Sequence, residues 1–271
     1  MSDFQTLARA AETAMRDVFP ETPLLRNVHL SERFDSDVWL KREDLTPVRS
    51  YKIRGAFNAM RKVIARDPKN KTFVCASAGN HAQGVAYMCS HFDVLGVIFM
   101  PVTTPQQKIN KTRIFGGANI QIRLVGDYFD DTLSAAQAHC AEVGGHFLAP
   151  FDDADVIEGQ ASVAVEIEKQ LGQAPDRLVV PVGGGGLSSG VRRYFGDKIQ
   201  YTFVEPSGGA SLAAAIQAGK LVTITRVNNF VDGAAVARIG KKPFKYLSDV
   251  SGDDVIGVPE DRICTTMLEM L

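Results

Sequence analysis

Apolar residues recur along the chain with two alternating periods, one of about 3.6 residues and one of about two. Near the N-terminus Phe4, Leu7, Ala8, Ala11 and Met15 share one helical face, and 38–40 reads as a short strand. A polar, proline-containing stretch, 41–50, leads into a helix over 53–66 whose stop is signalled by Asp67-Pro68. Strands and helices then alternate: strand 72–76, helix 81–91, strand 94–100 ended by Pro101, helix 104–115, strand 119–125 and helix 130–143. A second series places strands at 146–148, 178–182 and 200–204 and helices at 155–171, 187–195 and 209–218, with a closing helix over 260–271. Repeated strand–helix units predict parallel sheets with helices on both faces. The expected fold is α/β, two parallel-sheet lobes with a ligand cleft between them. The smaller lobe is 73–151; the larger is discontinuous, built from 1–72 and 152–271.

Composition narrows the function classes. Lys and Arg number 30 against 31 Asp and Glu in 271 residues, a net charge of −1. That balance excludes the basic footprint of a nucleic-acid binder. No apolar run reaches the 18 or so residues of a membrane span, and Met-Ser-Asp-Phe-Gln is no secretory leader. Cys75, Cys89, Cys140 and Cys264 lie far apart without a CxxC pair, so neither a zinc site nor a disulfide framework is expected. Reduced thiols in a cytoplasmic protein are the consistent reading.

Three loops fall where a parallel sheet presents ligands. Gly183-Gly184-Gly185-Gly186-Leu187 joins a strand to a helix, a cradle for a phosphate on free N–H groups. It lacks the Lys-Ser/Thr pair of a Walker loop, and a tight turn that needs glycine for packing alone is the competing reading. Ser77-Ala78-Gly79-Asn80-His81-Ala82-Gln83-Gly84 opens the helix after strand 72–76, a site for a small carboxylate or simply a Ser/Asn helix cap. His81 by itself reads as a packed or capping histidine and is assigned no proton transfer. Ser50-Tyr51-Lys52-Ile53-Arg54-Gly55 places a lysine at a helix start; alone it would be a solvated charge, but partial burial would free its neutral amine for Schiff-base chemistry. A reactive amine, a phosphate cradle and a carboxylate loop together describe pyridoxal phosphate with an amino acid.

The ordered motifs Lys41-Arg42-Glu43-Asp44, Ser50–Ala56, the loop from Ser77, the glycine loop, Val204-Glu205-Pro206 and Phe230-Val231-Asp232-Gly233-Ala234-Ala235-Val236 resemble the threonine dehydratases, of the fold-type II pyridoxal-phosphate family. The likeness runs from Thr22-Pro23-Leu24 to Cys264 and implies a tryptophan-synthase-β-like fold. It implies that Lys52 forms the Schiff base with the cofactor and removes the substrate α-proton. It implies that Gly183, Gly184, Gly185, Gly186 and Leu187 bind the cofactor phosphate, that Asn80 bonds its 3′-oxygen, and that Tyr51 and Gly233 flank its ring. Ser77, Ala78, Gly79, Asn80 and His81 would hold the substrate carboxylate.

The reaction so implied is deaminating dehydration of L-threonine to 2-oxobutanoate and ammonia, the first step towards the branched-chain amino acid isoleucine. Ala78 stands where serine racemases carry a second serine, which argues for elimination, and His81 fits dehydratases better than cysteine synthases. Glu205 meets Ser211 where an aspartate would complete the racemases' cation site, so no metal is expected. The alternatives are a serine-preferring dehydratase and an inactive cofactor-binding remnant. Family members continue past Leu271, so the large lobe reads as cut short, without a C-terminal regulatory domain, without isoleucine feedback and with no partner assigned to the pyridine nitrogen. A homo-oligomer acting on a small amino acid, with no nucleic acid or membrane partner, is expected.

Overall fold

The computed structural model describes residues 3–270. The chain opens with helix α1 (Asp3–Met15), strand β1 (Leu24–Arg26), helix α2 (Val28–Phe34) and strand β2 (Trp39–Lys41). It continues through α3 (Lys52–Arg66), β3 (Thr72–Ala76), α4 (Asn80–Phe92), β4 (Leu95–Met100), α5 (Gln106–Gly116), β5 (Ile120–Leu124), α6 (Phe129–Glu142) and β6 (His146–Phe147). Then follow α7 (Ala154–Gln160), α8 (Ser162–Leu171), β7 (Arg177–Pro181), α9 (Gly186–Phe195), β8 (Gln200–Pro206), α10 (Ser211–Ala218), α11 (Lys241–Lys245), β9 (Val255–Val258) and α12 (Glu260–Glu269).

Two parallel sheets form, ordered β5-β4-β3-β6 and β7-β8-β9, as the alternating periods require. β1 and β2 make a separate antiparallel ribbon. The helix expected over 155–171 is two helices. Ser162 Oγ donates to the Gly159 carbonyl at 2.7 Å, and a Cβ on Gly159 would lie 2.5 Å from the Arg54 carbonyl, so α7 breaks where it presses on α3. Strands β1 and β9 and helices α2 and α11 are additions to the expected set, and the last residue of the expected closing helix lies outside the described residues.

Three apolar clusters divide the interior. One joins α1, α8 and α9 to β7 and β8; a second packs α3 and α4 against the four-stranded sheet; a third lies under α6 on that sheet's other face. Between the first two sits a buried charge network. Arg54, fully buried, forks onto Glu43 at 2.7 and 2.8 Å and onto Glu166 at 2.7 and 2.9 Å. Lys41 Nζ and Arg16 also reach Glu166, at 2.6 and 2.7 Å. Burial would raise the Glu166 carboxyl; Arg54 and then Lys41 overcome it and hold the group at about 2. The network ties the first turn of α3 to α8 and to the ribbon.

Candidate active site

The site is built at the first turn of α3. Lys52 opens that helix, and its Nζ donates to the Pro150 carbonyl at 2.9 Å. The rings of Tyr51 and Phe151 lie 5.5 and 5.9 Å from the amine. Burial destabilises the ammonium and lowers its pKa to about 8, so the neutral nucleophile is accessible near physiological pH. Tyr51 is pushed up to about 12 by the same burial, which keeps its phenol neutral.

Close packing brings the second loop to this lysine. A Cβ on Gly84 would stand 3.2–3.3 Å from backbone atoms of Lys52 and Ile53, so glycine lets α4 lie directly on the start of α3. The turn before α4 follows the C-terminal end of β3. Ser77 N–H donates to the Phe99 carbonyl at 3.0 Å, and Ser77 Oγ accepts from Gly79 N–H at 3.2 Å. No side chain caps α4, and the first bond into the helix is Gln83 N–H to the Gly79 carbonyl at 3.2 Å, so the N–H groups of Asn80, His81 and Ala82 precede the helical ladder, as an anion site requires. Ala78 is partly buried, Asn80 is exposed, and a Cβ on Gly79 would meet nothing within 4 Å, so this turn opens on free space.

His81 turns the other way. Its Nε2 bonds the Leu148 carbonyl at 3.0 Å, and burial, with repulsion from Lys52, drops its pKa to about 3. The neutral ring donates from Nε2 and carries no charge near pH 7, in line with a packed histidine. Any hold on a carboxylate is left to its backbone N–H.

The glycine loop follows β7. Gly185 takes φ +85, and α9 begins without a side-chain cap. The first bond into the helix is Ser189 N–H to the Gly185 carbonyl at 2.9 Å, so the N–H groups of Gly186, Leu187 and Ser188 precede the helical ladder. The glycines themselves answer to packing: a Cβ on Gly184 would fall 2.1 Å from the Phe151 ring, and one on Gly183 2.9 Å from the Ala234 carbonyl. The uncapped N–H groups, rather than the glycine count, mark an anion site. A Cβ on Gly233 would meet nothing within 4 Å, so this residue borders open space beside the loop.

Sequence reasoning missed the segment that connects these pieces. Pro150 accepts from the lysine. Phe151 touches the glycine loop while lying near the same amine, and Asp152 accepts the Lys241 and Lys242 N–H groups at 3.0 and 2.7 Å. Asp153 caps α7 through the N–H groups of Asp155 and Val156. The acidic pair before a helix was a legible cap signal; the aromatic contact was not. Glu205, fully buried, spends both oxygens on the N–H groups of Leu212 and Ala213 at 2.8 and 2.9 Å, as a cap for α10. A cavity of about 430 Å³ lined by Arg177, Arg192, Tyr201 and Asp249 lies at the opposite ends of β7 and β8, away from this chemistry.

The donor set fits pyridoxal phosphate: an uncapped helix start for the phosphate, a buried amine for the aldehyde, a second uncapped start for a carboxylate and open space beside Gly79 and beside Gly233. The family model described as pyridoxal-phosphate dependent enzyme matches residues 15–271. The biosynthetic L-threonine dehydratase IlvA of Bacillus subtilis is 46% identical over 263 residues, 96% of this chain and 62% of that protein. Its namesake in Halalkalibacterium halodurans is 41% identical over the same length, 96% of this chain and 63% of that protein. Among solved structures, processed threonine deaminase isoform 2 of Solanum lycopersicum superposes with a TM-score of 0.89 at 35% identity, covering 100% of this chain and 78% of that one. Maize serine racemase superposes with the same score at 26% identity, covering 97% and 79%. The chain thus spans 62–63% of the length of these curated relatives.

Proposed function

The chain belongs to the pyridoxal-phosphate dependent enzyme family, and on that premise we propose that it dehydrates and deaminates L-threonine to 2-oxobutanoate and ammonia. The observation that carries the reading is a buried amine, with a pKa near 8, placed beside Phe151 and the α4 turn. When bound, the cofactor supplies a carbonyl for amines and an electron sink for the substrate Cα.

The chain's own residues do the rest. With the cofactor bound, Lys52 Nζ would be the amine that meets its carbonyl and the base placed to take the substrate Cα proton. The first-turn N–H groups of α9 at Gly186 and Leu187, with the turn through Gly183, Gly184 and Gly185, hold the phosphate; Asn80 orients the ring oxygen. The α4 turn, through Ser77, Ala78, Gly79, Asn80 and His81, holds the substrate carboxylate. Tyr51 and Phe151 exclude water from the amine, and Gly233 leaves room for the ring. Ala78 offers no hydroxyl for protonation of Cα, which favours elimination over racemisation. The names of the relatives support threonine; one methyl group separates it from serine, worth about 1–3 kcal/mol in a pocket.

We further propose the division into lobes 73–151 and 1–72 with 152–271, a homo-oligomer, and a cytoplasmic location. No helix among the described residues is long and apolar enough to cross a membrane. A second reading, cofactor binding without turnover by this chain alone, is favoured by two observations. Val179 on edge strand β7 is 65% exposed, and α12 buries no residue. Visible absorbance before and after L-threonine, with 2-oxo acid measured in parallel, decides between them. A cofactor band that changes as oxo acid accumulates supports catalysis; a band indifferent to threonine refutes it.

A further inference from the structure

One ion pair joins the side of the four-stranded sheet to the side of the three-stranded sheet at a point the proposed chemistry does not use. Lys108 lies on α5, which packs on α4 beside the four-stranded sheet, and its Nζ bonds the Asp232 carboxylate. Asp232 belongs to the long connection between α10 and α11, on the side of the three-stranded sheet, and immediately precedes Gly233. That connection contains one short 3₁₀ turn, Asn229–Val231. Its other fastenings run to its own side: Asn228 N–H to the Gly208 carbonyl at 2.9 Å, Gly240 N–H to the Gly184 carbonyl at 3.2 Å, and Ala234 against Gly183. Lys108 approaches from the opposite sheet and grips the loop beside Gly233.

We infer that Lys108 and Asp232 are positioning residues, whose pairing between the two sides holds the 228–236 loop, with Gly233, over the cofactor site. The cofactor part of this inference rests on the function proposed above. The two side chains are 37% and 61% exposed, so the pair is a weak, salt-sensitive latch. A weak latch suits a cleft that must open for each substrate, since a strong one would slow exchange.

The test uses Lys108→Glu, Asp232→Lys and the double charge reversal, with Lys111→Glu as a control on the exposed face of the same helix. Amide hydrogen exchange of the 228–236 segment is read on the cofactor-free protein, and the rate of pyridoxal phosphate release on the loaded protein. Each single reversal is expected to speed both by about 2- to 5-fold in low salt, the range of an exposed ion pair. The double reversal is expected to restore wild-type values, and the differences to vanish in 1 M NaCl. Unchanged exchange in the single variants, a double reversal no better than either single, or an equal effect of Lys111→Glu overturns the inference. If the protein takes up no pyridoxal phosphate, the proposed function fails while the exchange measurement still decides whether the pair holds the loop.

Discussion

Replacing Glu166 by Gln removes one carboxylate and leaves three cations facing a neutral amide. In the native protein that carboxylate is fully buried and accepts from Arg54 at 2.7 and 2.9 Å, from Lys41 at 2.6 Å and from Arg16 at 2.7 Å. Breaking a buried ion pair from one side costs about 3–5 kcal/mol, because the other charges stay desolvated. A second route gives a similar figure. The carboxyl is held at about 2 against an ordinary 4.5, and at 1.36 kcal/mol per decade this is about 3 kcal/mol. The sign follows from the depression: the contribution is present above pH 4.5 and is lost as pH falls through about 2. Denaturant unfolding of cofactor-free wild type and Glu166→Gln at pH 7 is therefore expected to differ by about 3–5 kcal/mol, with the gap narrowing between pH 4.5 and 2. Asp37→Asn is the control, since its pair with Arg26 is exposed and worth about 1 kcal/mol or less. A loss below about 1 kcal/mol for Glu166→Gln, or a gap indifferent to acid, would refute the account of the network.

Three further outcomes follow from the site. Borohydride trapping of pyridoxal phosphate on the protein should rise with pH around a midpoint near 8, since only the neutral Lys52 amine reacts; a midpoint near 10.5 would show the amine to be solvated. Lys52→Ala should lose the covalent adduct and oxo-acid production while melting within a few degrees of wild type; surviving turnover sinks the mechanism. Gly184→Ala forces a methyl to within 2.1 Å of the Phe151 ring, so thermal unfolding should show a loss of about 1–3 kcal/mol with weakened cofactor binding; wild-type behaviour would mean that the ring moves aside at no cost.

Much of the fold was legible because its signals are local. Alternating periods marked the four strands of the larger parallel sheet and β7 and β8 of the smaller, and the loops after β3 and β7 carried the glycines and small polar residues that ligand sites need. Helix α11 escaped notice because Pro243 reads as a breaker, yet it falls in the first turn, where its missing N–H has no helical partner to lose. Strand β9 is four residues long and contains Gly257, too short for a period to show; pairing with β8 makes it a strand. The glycine run was read as a phosphate cradle on free N–H groups, with packing as the competing reading, and two of those glycines do answer to packing, against Phe151 and Ala234.

The alternation of elements, the position of Lys52 at a helix start and the two helix-opening loops were readable from local pattern, since each depends on neighbours within a few residues. Long-range packing, by contrast, buries Arg54, an ordinary surface charge by composition, among Glu43, Glu166 and Thr22. It alone put Pro150 and Phe151 against the lysine, 98 residues away in the chain for the Pro150 carbonyl, and Lys108 against Asp232. Those partners are set by which faces the two sheets and their helices must bury together, and no local pattern of residues encodes that choice.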